Sequence, residues 1–254
     1  MSPISVCILI NEWHPRLPQT LASYGACCSE MLLGVNGGFN PEAYPELKQA
    51  RLRLVSLGWS GYGATRNKLA GYARHEWILS VDTDEVADPA LQEALSTLSP
   101  SDPGCIYTLS MCHHLGAKPI RHGSWAAGKR QFPRLYNRSH TQWDEAVVHE
   151  RILIPPHTQL VPLPGKILHY TALDYQQLIA KSKQYAVLSA RKYRQAGKQS
   201  FPGRSWLSAA FSFVRDYCFR LGFLDGKAGW QIAKSTALYT YWKYRFLRRP
   251  ERDE

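Results

Sequence analysis

Residues 77–85 read WILSVDTDE, so three carboxylates, Asp82, Asp84 and Glu85, stand within four positions at the end of a mostly apolar run. Trp77, Ile78, Leu79 and Val81 suit a buried strand, because β-branched and aromatic side chains pack well on a pleated surface. An Asp-x-Asp leaving such a strand can bind a divalent cation that bridges the oxygens of a diphosphate; Mg2+ and Mn2+ are hard ions that prefer oxygen ligands. A cation there stabilises charge that builds on a phosphate leaving group. It would also set the local charge, which reconciles an acidic cluster with a chain of formal net charge +11. The same residues read equally as a solvated acidic turn capping a helix near Asp88. A second acidic set, Asp144, Glu145 and Glu150, lies in WDEAVVHERI (143–152). Val147 and Val148 suggest a strand that would hold His149 and Glu150 at its end. His169 follows GKIL, again at a strand end.

The elements that must position these groups alternate. ISVCILI (4–10), MLLGV (31–35) and RLRLVSL (51–57) read as strands, and 17–27, GYGATRNKLAGYAR (61–74) and DPALQEALSTL (88–98) as helices, with Pro89 in the first turn of the last. Alternation of this kind implies a mainly parallel sheet with right-handed crossovers. Ligands of such sheets bind beyond the carboxyl ends of the strands, where Asn11, Asn36, Trp59 to Arg66 and Asp82 to Glu85 all fall. From 104 to 170 short strands broken by Gly and Pro suggest an antiparallel extension. A helix is expected from Asp174, which with Gln177 resembles a capping box, to about Gln195.

A hydrophobic fraction of 44% over 254 residues supplies a core and excludes a disordered chain. The six cysteines form no CxxC pair and no regular spacing, against a disulfide framework or a structural zinc site, and point to a reducing, cytoplasmic compartment. No signal peptide is expected before ISVCILI, and no segment reaches the roughly 18–20 apolar residues that span a bilayer.

The stretch LGWSGYGATRNKLAGYARHEWILSVDTDE resembles family 2 glycosyltransferases of the GT-A fold, and among them the lipopolysaccharide-core β-glucosyltransferase branch. There a W-x-G-[FY]-G-x-x-[RK]-N helix leads into an apolar strand ending D-x-D-E, matched here by Trp59, Gly61, Tyr62, Gly63, Arg66, Asn67 and Asp82 to Glu85. RHGSW, PRLYN, AVVHERI, LHYTALDYQQLIAKSKQYA and LGFLDGKAGWQIA follow in the branch's order, so the resemblance runs from Ile4 to about Arg249. Two departures stand out. Where the family carries an Asp that reads the nucleotide base, this chain has Asn36, which both donates and accepts hydrogen bonds. GSWAAGKRQFPRLYN also lacks the Asp of the branch's G-W-x-P-D and is longer, which implies an altered acceptor pocket.

The resemblance implies a metal-dependent, inverting hexosyltransferase that uses Mg2+ or Mn2+. Asn11, Glu12, Asn36, Arg66, Asp82 and Thr83 would contact the donor, Arg66 through a phosphate, and Asp84 and His169 would hold the metal. Inversion needs a base on the acceptor hydroxyl. The branch's V-H-E motif favours Glu150, with Asp144 and Glu145 as the other candidates; Glu150 read structurally is a partner of Arg151 or Arg134. His149 reads as a ligand, as an orienting group or as a core histidine, and Trp125 and Trp143 as sugar-stacking or core residues.

Residues 191–254 hold 14 Lys or Arg against 5 Asp or Glu, a bias that calls for an anionic partner. RSWLSAAFSFVRDYCFRL (204–221) reads as an amphipathic helix with Trp206, Ala210, Phe213, Val214, Tyr217 and Leu221 on one face and Ser208, Ser212, Arg215, Asp216 and Arg220 on the other. It reads as an interfacial membrane helix, as part of a helical subdomain packed on the catalytic sheet, or as both at once. The expected architecture is therefore α/β: a GT-A, Rossmann-like mixed and mainly parallel sheet flanked by helices over residues 1–172, then a basic amphipathic helical extension over 173–254. The expected function is transfer of a hexose, glucose by resemblance, from a nucleotide-diphosphate sugar such as UDP-glucose. The acceptor would be a lipid-linked or lipopolysaccharide-core saccharide on the cytoplasmic face of the inner membrane, with an anionic membrane surface as partner and no nucleic acid. A metal-dependent nucleotidyltransferase and a non-catalytic saccharide- or nucleic-acid-binding protein are the alternatives. The first normally carries a Gly-rich loop after its first strand, whereas NEWHPRLPQT has no glycine; the second lacks a recognised motif.

Overall fold

Strand β1 (Ser2–Ile10) buries Ile4, Val6 and Ile8 completely, with Ser5 and Cys7 on its opposite face also buried. A strand covered on both faces belongs in the middle of a parallel sheet. Its parallel neighbours are β2 (Cys28–Asn36) and β4 (Trp77–Val81), and β3 (Leu52–Leu57) adds parallel to β2. Helix α1 (Leu17–Gly25) joins β1 to β2, and α2 (Tyr62–Gly71) leads from β3 into β4. The chain thus winds β1, β2, β3 in one direction and then returns to the other side of β1, leaving a crevice at the carboxyl ends of β1 and β4. The computed structural model describes residues 2–48, 50–126, 130–145 and 150–249. The expected strand through Val147 and Val148, and His149 with it, lies outside the described residues.

The expected change to antiparallel pairing is present. Strand β8 (Phe132–Asn137) runs antiparallel to β4 and to β6 (Cys105–Leu115), which also pairs with β7 (Lys118–Pro119). Strand β5 (Glu85–Ala87) pairs antiparallel with β9 (Gln159–Ala172), and α3 (Pro89–Thr97) follows β5. The sheet order is β3-β2-β1-β4-β8-β6-β9-β5, a mixed sheet of the expected α/β class. Two strands of this half, β6 and β9, are longer than expected: β9 passes through Pro162, Pro164 and Gly165 without ending. Both prolines are exposed, where a strand does not need every ladder donor.

Two compact units divide the chain: residues 1–111 with 129–169, and residues 112–128 with 170–254. The first contains the parallel strands, with a core that includes Leu32, Leu69, Ile78, Ile106 and Tyr136. The second contains α4 (Tyr175–Gln195), α5 (Arg204–Val214), a π-helical turn at Arg215–Phe219, a 3-10 turn at Gly222–Asp225, and α6 (Gly226–Arg248). Helix α4 begins as expected: the Asp174 side chain accepts from the Gln177 amide at 2.8 Å, and Gln177 Oε1 accepts from Leu173 N at 2.7 Å.

The LGFLDGKAG segment is a packing device. A Cβ on Gly229 would lie 1.8 Å from the Gly222 carbonyl oxygen, so α6 reaches the preceding turn only without a side chain there. Buried Asp225 accepts from the backbone amides of Arg121 and His122 at 3.0 and 2.7 Å, and buried Asp216 accepts from Ser124 Oγ at 3.0 Å. RHGSW is thereby tied to the C-terminal helices. Helix α5 inverts the expectation for its faces. Ser212 and Asp216 turn inward, Ser212 hydroxyl to Thr240 hydroxyl at 3.2 Å, because small and hydrogen-bonding residues let α5 and α6 approach closely. Leu207, Phe211 and Val214 face outward. Among the described residues no helix is long and apolar enough to cross a membrane.

Candidate functional site

The carboxylate cluster forms at the end of β4 as a turn closed by its own last residue. The Asp82 amide donates to Glu85 Oε2 at 3.0 Å, and the Glu85 amide donates to the Asp82 carbonyl at 3.2 Å. Glu85 is fully buried, and Arg134 of β8 reaches its Oε1 at 2.6 Å. Burial raises the Glu85 pKa, against the opposing pull of Arg134. Glu85 is thus the internal anchor of the turn, and the arginine of PRLYN exists to meet it. From the other side α1 supports the same segment: Thr20 Oγ1 donates to the Thr83 carbonyl at 3.1 Å and Ser23 Oγ accepts from Ala87 N at 3.1 Å.

This scaffold leaves Asp82 and Asp84 at the crevice. Register places Glu85 opposite His169 of β9, and His169 Nε2 lies 3.4 Å from Asp84 Oδ2. The register is secured by Asp88, whose Oδ1 caps α3 at Leu91 N and also accepts from Lys166 N. A side chain on Gly165, at φ +86°, would collide with Leu91 N at 2.1 Å. Burial disfavours a charged His169, but Asp84, Glu85 and Asp82 around it raise its pKa overall.

Among the described residues no three His, Cys, Asp or Glu side chains form a closed metal cage. The donor set present is one carboxylate and one imidazole with a second carboxylate nearby. Such a carboxylate-containing set would suit a hard divalent ion such as Mg2+ or Mn2+, with Asp84 and His169 as the groups that would hold it.

Arg66 organises the floor of the site. It lies on α2, is 7% exposed, and places Nη2 2.6 Å from Asp82 Oδ1, Nη1 2.9 Å from Ser80 Oγ and Nε 3.4 Å from Glu150 Oε1. Its guanidinium lies over the Trp143 ring, 4.9 Å from the centroid. Partial burial works to raise the Asp82 pKa, but Arg66 and Arg134 outweigh it and hold that carboxyl well below the usual range. Where the sequence suggested a phosphate partner, the structure turns Arg66 toward protein acceptors, because its helix face points at the end of β4. The partner of Glu150 is therefore Arg66, neither Arg151 nor Arg134.

The glycines of the WSGYG motif explain how Glu150 comes so near. Gly61 starts α2 at φ +92°, and a Cβ on Gly63 would lie 1.8 Å from the Asp144 carbonyl oxygen and 3.5 Å from Glu150 Cβ. Asn67 completes the junction, accepting from Trp143 N and donating to Trp143 O, both at 2.9 Å. Asp144 closes the loop's base by accepting from Arg151 N at 3.1 Å, while Glu145 is exposed. Trp143 is 5% exposed, so it is a core residue beneath Arg66.

The other candidates sit at the same strand ends. Asn11 and Glu12 are exposed just after β1, and Asn36 is the last residue of β2 and 9% exposed. Beside them is a stack that motif reading missed: Trp13 and Tyr44 lie parallel with centroids 4.1 Å apart, and Phe39 continues the stack at 5.3 Å from Tyr44. Three aromatics on two separate connections, Trp13 after β1 and Phe39 and Tyr44 after β2, carry no periodicity; only their position after β1 and β2 could have drawn notice. Trp59 and Tyr62 form a second, edge-on pair at 4.7 Å and are 52% and 44% exposed.

No family model matches the chain. Among curated proteins it is 25% identical over 214 residues to the lipopolysaccharide core biosynthesis glycosyltransferase LpsC of Rhizobium meliloti (strain 1021), covering 80% of this chain and 77% of that protein. It is 22% identical over 241 residues to an uncharacterised glycosyltransferase of Rickettsia bellii (strain RML369-C), covering 88% and 79%. Among solved structures it superposes on the mannosyltransferase PcManGT from Pyrobaculum calidifontis, in complex with GDP-Man and Mn2+, with TM-score 0.49, 11% identity and coverage of 96% and 86%. On S. aureus TarS 1-349 the TM-score is 0.44, with 13% identity and coverage of 96% and 90%. The resemblance borne by the ordered motifs is matched by these relatives: the curated proteins to which this chain is similar over most of its length are glycosyltransferases.

Proposed function

We propose that the protein is a metal-dependent, inverting glycosyltransferase. It would move a hexose, glucose in the first instance, from a nucleotide-diphosphate sugar such as UDP-glucose to a lipid-linked or lipopolysaccharide-core saccharide. The observation that carries the reading is that one buried guanidinium, that of Arg66, holds Asp82 of the Asp-x-Asp and Glu150 together. One group belongs to donor binding and the other to proton removal, and a sugar transferase needs both at one carbon.

Asp84 and His169 would hold a divalent cation, which supplies charge neutralisation for the diphosphate. The chain's own groups do the rest. Asp82 and Thr83, with Asn11, Glu12 and Asn36, bind the donor; Asn36 offers a base an amide that both donates and accepts. Glu150 accepts the proton of the acceptor hydroxyl as its oxygen bonds to the anomeric carbon. The bond from that carbon to the diphosphate breaks, and its electron pair leaves on the phosphate oxygen. Attack from the face opposite the leaving group inverts the configuration. Arg66, its Nε 3.4 Å from Glu150 Oε1, holds that carboxylate in position to act as the base. The enzyme would work as a peripheral protein on the cytoplasmic face of the inner membrane, where a lipid-linked acceptor is presented.

The deciding experiment is calorimetric binding of UDP-, GDP-, CDP- and dTDP-sugars with and without Mn2+, followed by a transfer assay with the sugar that binds. Tight, Mn2+-dependent binding of one of them is expected. Equal, weak binding of all four with no effect of the ion would overturn the reading.

A further inference from the structure

Helix α5 presents to water the face that a soluble protein hides. Leu207, Phe211 and Val214 follow the i, i+4, i+7 spacing of one helical stripe, and Leu207 and Phe211 are 68% and 61% exposed. The stripe continues past the helix into Cys218 and Phe219, the latter 76% exposed, and the next turn adds exposed Phe223 and Leu224. Contiguous apolar patches of this kind mark surfaces that are covered in use.

What covers it is indicated by charge. Residues 204–249 contain two acidic side chains, Asp216 and Asp225, and both are buried and hydrogen-bonded inside the unit. The outer surface of this segment is consequently cationic without relief. Such a surface repels a second copy of itself and attracts an anionic one. Beside the apolar stripe, a cleft of about 340 Å³ opens between the start of α5 and the end of α6. Trp206, Tyr241, Tyr244, Arg245 and Arg248 line it. Its aromatic wall is fixed, since Trp206 lies 4.6 Å from Tyr241 and the Arg204 guanidinium stacks on Tyr244 at 4.5 Å. Aromatic rings beside arginines suit the boundary between acyl chains and phosphates, where one side is apolar and the other wet.

We propose that this is a bilayer-docking face: Leu207, Phe211, Val214 and Phe219 enter the acyl boundary of an anionic leaflet, and the cleft at Arg245 and Arg248 takes a lipid phosphate. Apolar insertion and phosphate capture then act together, as stable reversible attachment requires. The proposal deepens the membrane location given above and rests on that part of the reading alone.

The test uses the full chain with vesicles of phosphatidylcholine, alone or mixed with phosphatidylglycerol. Cys218 is the exposed thiol of the stripe, so an environment-sensitive dye attached there reports insertion without any substitution. A blue shift is expected with the anionic vesicles and not with phosphatidylcholine alone. Phe211→Glu, at an exposed position, should abolish the shift. The double variant Arg245→Gln/Arg248→Gln should weaken vesicle binding roughly thirtyfold, as two surface cations are lost. No shift in the unaltered chain, or full binding by Phe211→Glu, overturns the proposal. So does binding of inorganic phosphate as tight as that of the vesicles, or a dimer in sedimentation that Phe211→Glu dissolves. Mn2+-dependent sugar-nucleotide binding, measured in the same preparations without vesicles, reports on the transferase reading separately.

Discussion

Arg66 Nη2 lies 2.6 Å from Asp82 Oδ1, and the same guanidinium turns its Nε toward Glu150. Its removal would leave two carboxylates facing each other's field with no cation between them. For Arg66→Met the expected loss of stability is about 2 kcal/mol, below the roughly 3–5 kcal/mol of a fully buried broken pair because Asp82 is part-exposed. Arg66→Lys should keep the charge, lose the fork, and recover stability more than turnover. Urea denaturation and kcat of both variants check this.

Asp84 stands 3.4 Å from His169 and takes no part in closing the turn, so Asp84→Ala should leave the fold intact. Transfer should fall by a factor on the order of a thousand, and the dependence of donor binding on Mn2+ should vanish. The comparison is an isotherm for the donor with and without the ion, alongside a melting curve. Undiminished transfer by the unaltered chain in excess chelator would sink the assignment.

Glu150→Gln removes the proton acceptor and keeps the shape. Turnover should drop about 10²–10⁴-fold while the donor Kd stays unchanged. A near-normal kcat would move the role of base to Asp144 or Glu145, and Asp144→Asn and Glu145→Gln measured alongside would say which.

Gly63 and Gly71 lie on the same helix in opposite surroundings. A Cβ meets the Asp144 carbonyl at 1.8 Å at the first and nothing within 4 Å at the second. Gly63→Ala should cost about 1–3 kcal/mol and displace the loop that carries Glu150, lowering kcat. Gly71→Ala should be neutral or stabilise by about 0.5–1 kcal/mol. Equal melting temperatures for the two variants would contradict the close approach of α2 to residue 144.

Cys7 is buried in β1, and burial pushes its thiol from an ordinary 9.0 up to about 12. The folded state therefore keeps a proton that the unfolded state sheds above pH 9. That contribution is complete below pH 9 and declines as pH rises, by up to about 1.4 kcal/mol per unit. Between pH 9 and 10 the stability of Cys7→Ala should fall less steeply than that of the unaltered chain, as measured by denaturant midpoints. In a thiol titration at pH 8, Cys218 should react first and Cys7 only on unfolding.

The parallel strands were legible because their apolar runs end in turns, and the helix starts at Pro89 and Tyr175 because Asp88 and Asp174 can only cap there. The Asp-x-Asp was legible as a place, less so as a structure. Glu85, counted with it as acid, is an internal anchor whose meaning depends on Arg134, far away in sequence. At Arg66 the sequence offers a cation near the nucleotide edge but not its protein partners; only the orientation of α2 shows it facing Asp82 and Glu150. On α5 periodicity separated two faces but not inside from outside; Ser212 and Asp216 go in because Thr240 and Ser124 wait for them.

The backbone amides of Arg121 and His122 depend on a carboxylate, Asp225, that follows them by 104 and 103 residues. Synthesis emits the chain in one direction, at roughly 5–20 residues per second. The RHGSW segment therefore leaves the ribosome on the order of ten seconds before its acceptor exists. During that interval the second unit is unfinished, its early segment carrying amide donors whose acceptor has not yet been made. A nascent chain halted before residue 225 should hold a protease-resistant first unit and a cleavable segment at 112–126. Timing, as well as geometry, makes the segment that carries Asp216 and Asp225 a late condition for the second unit.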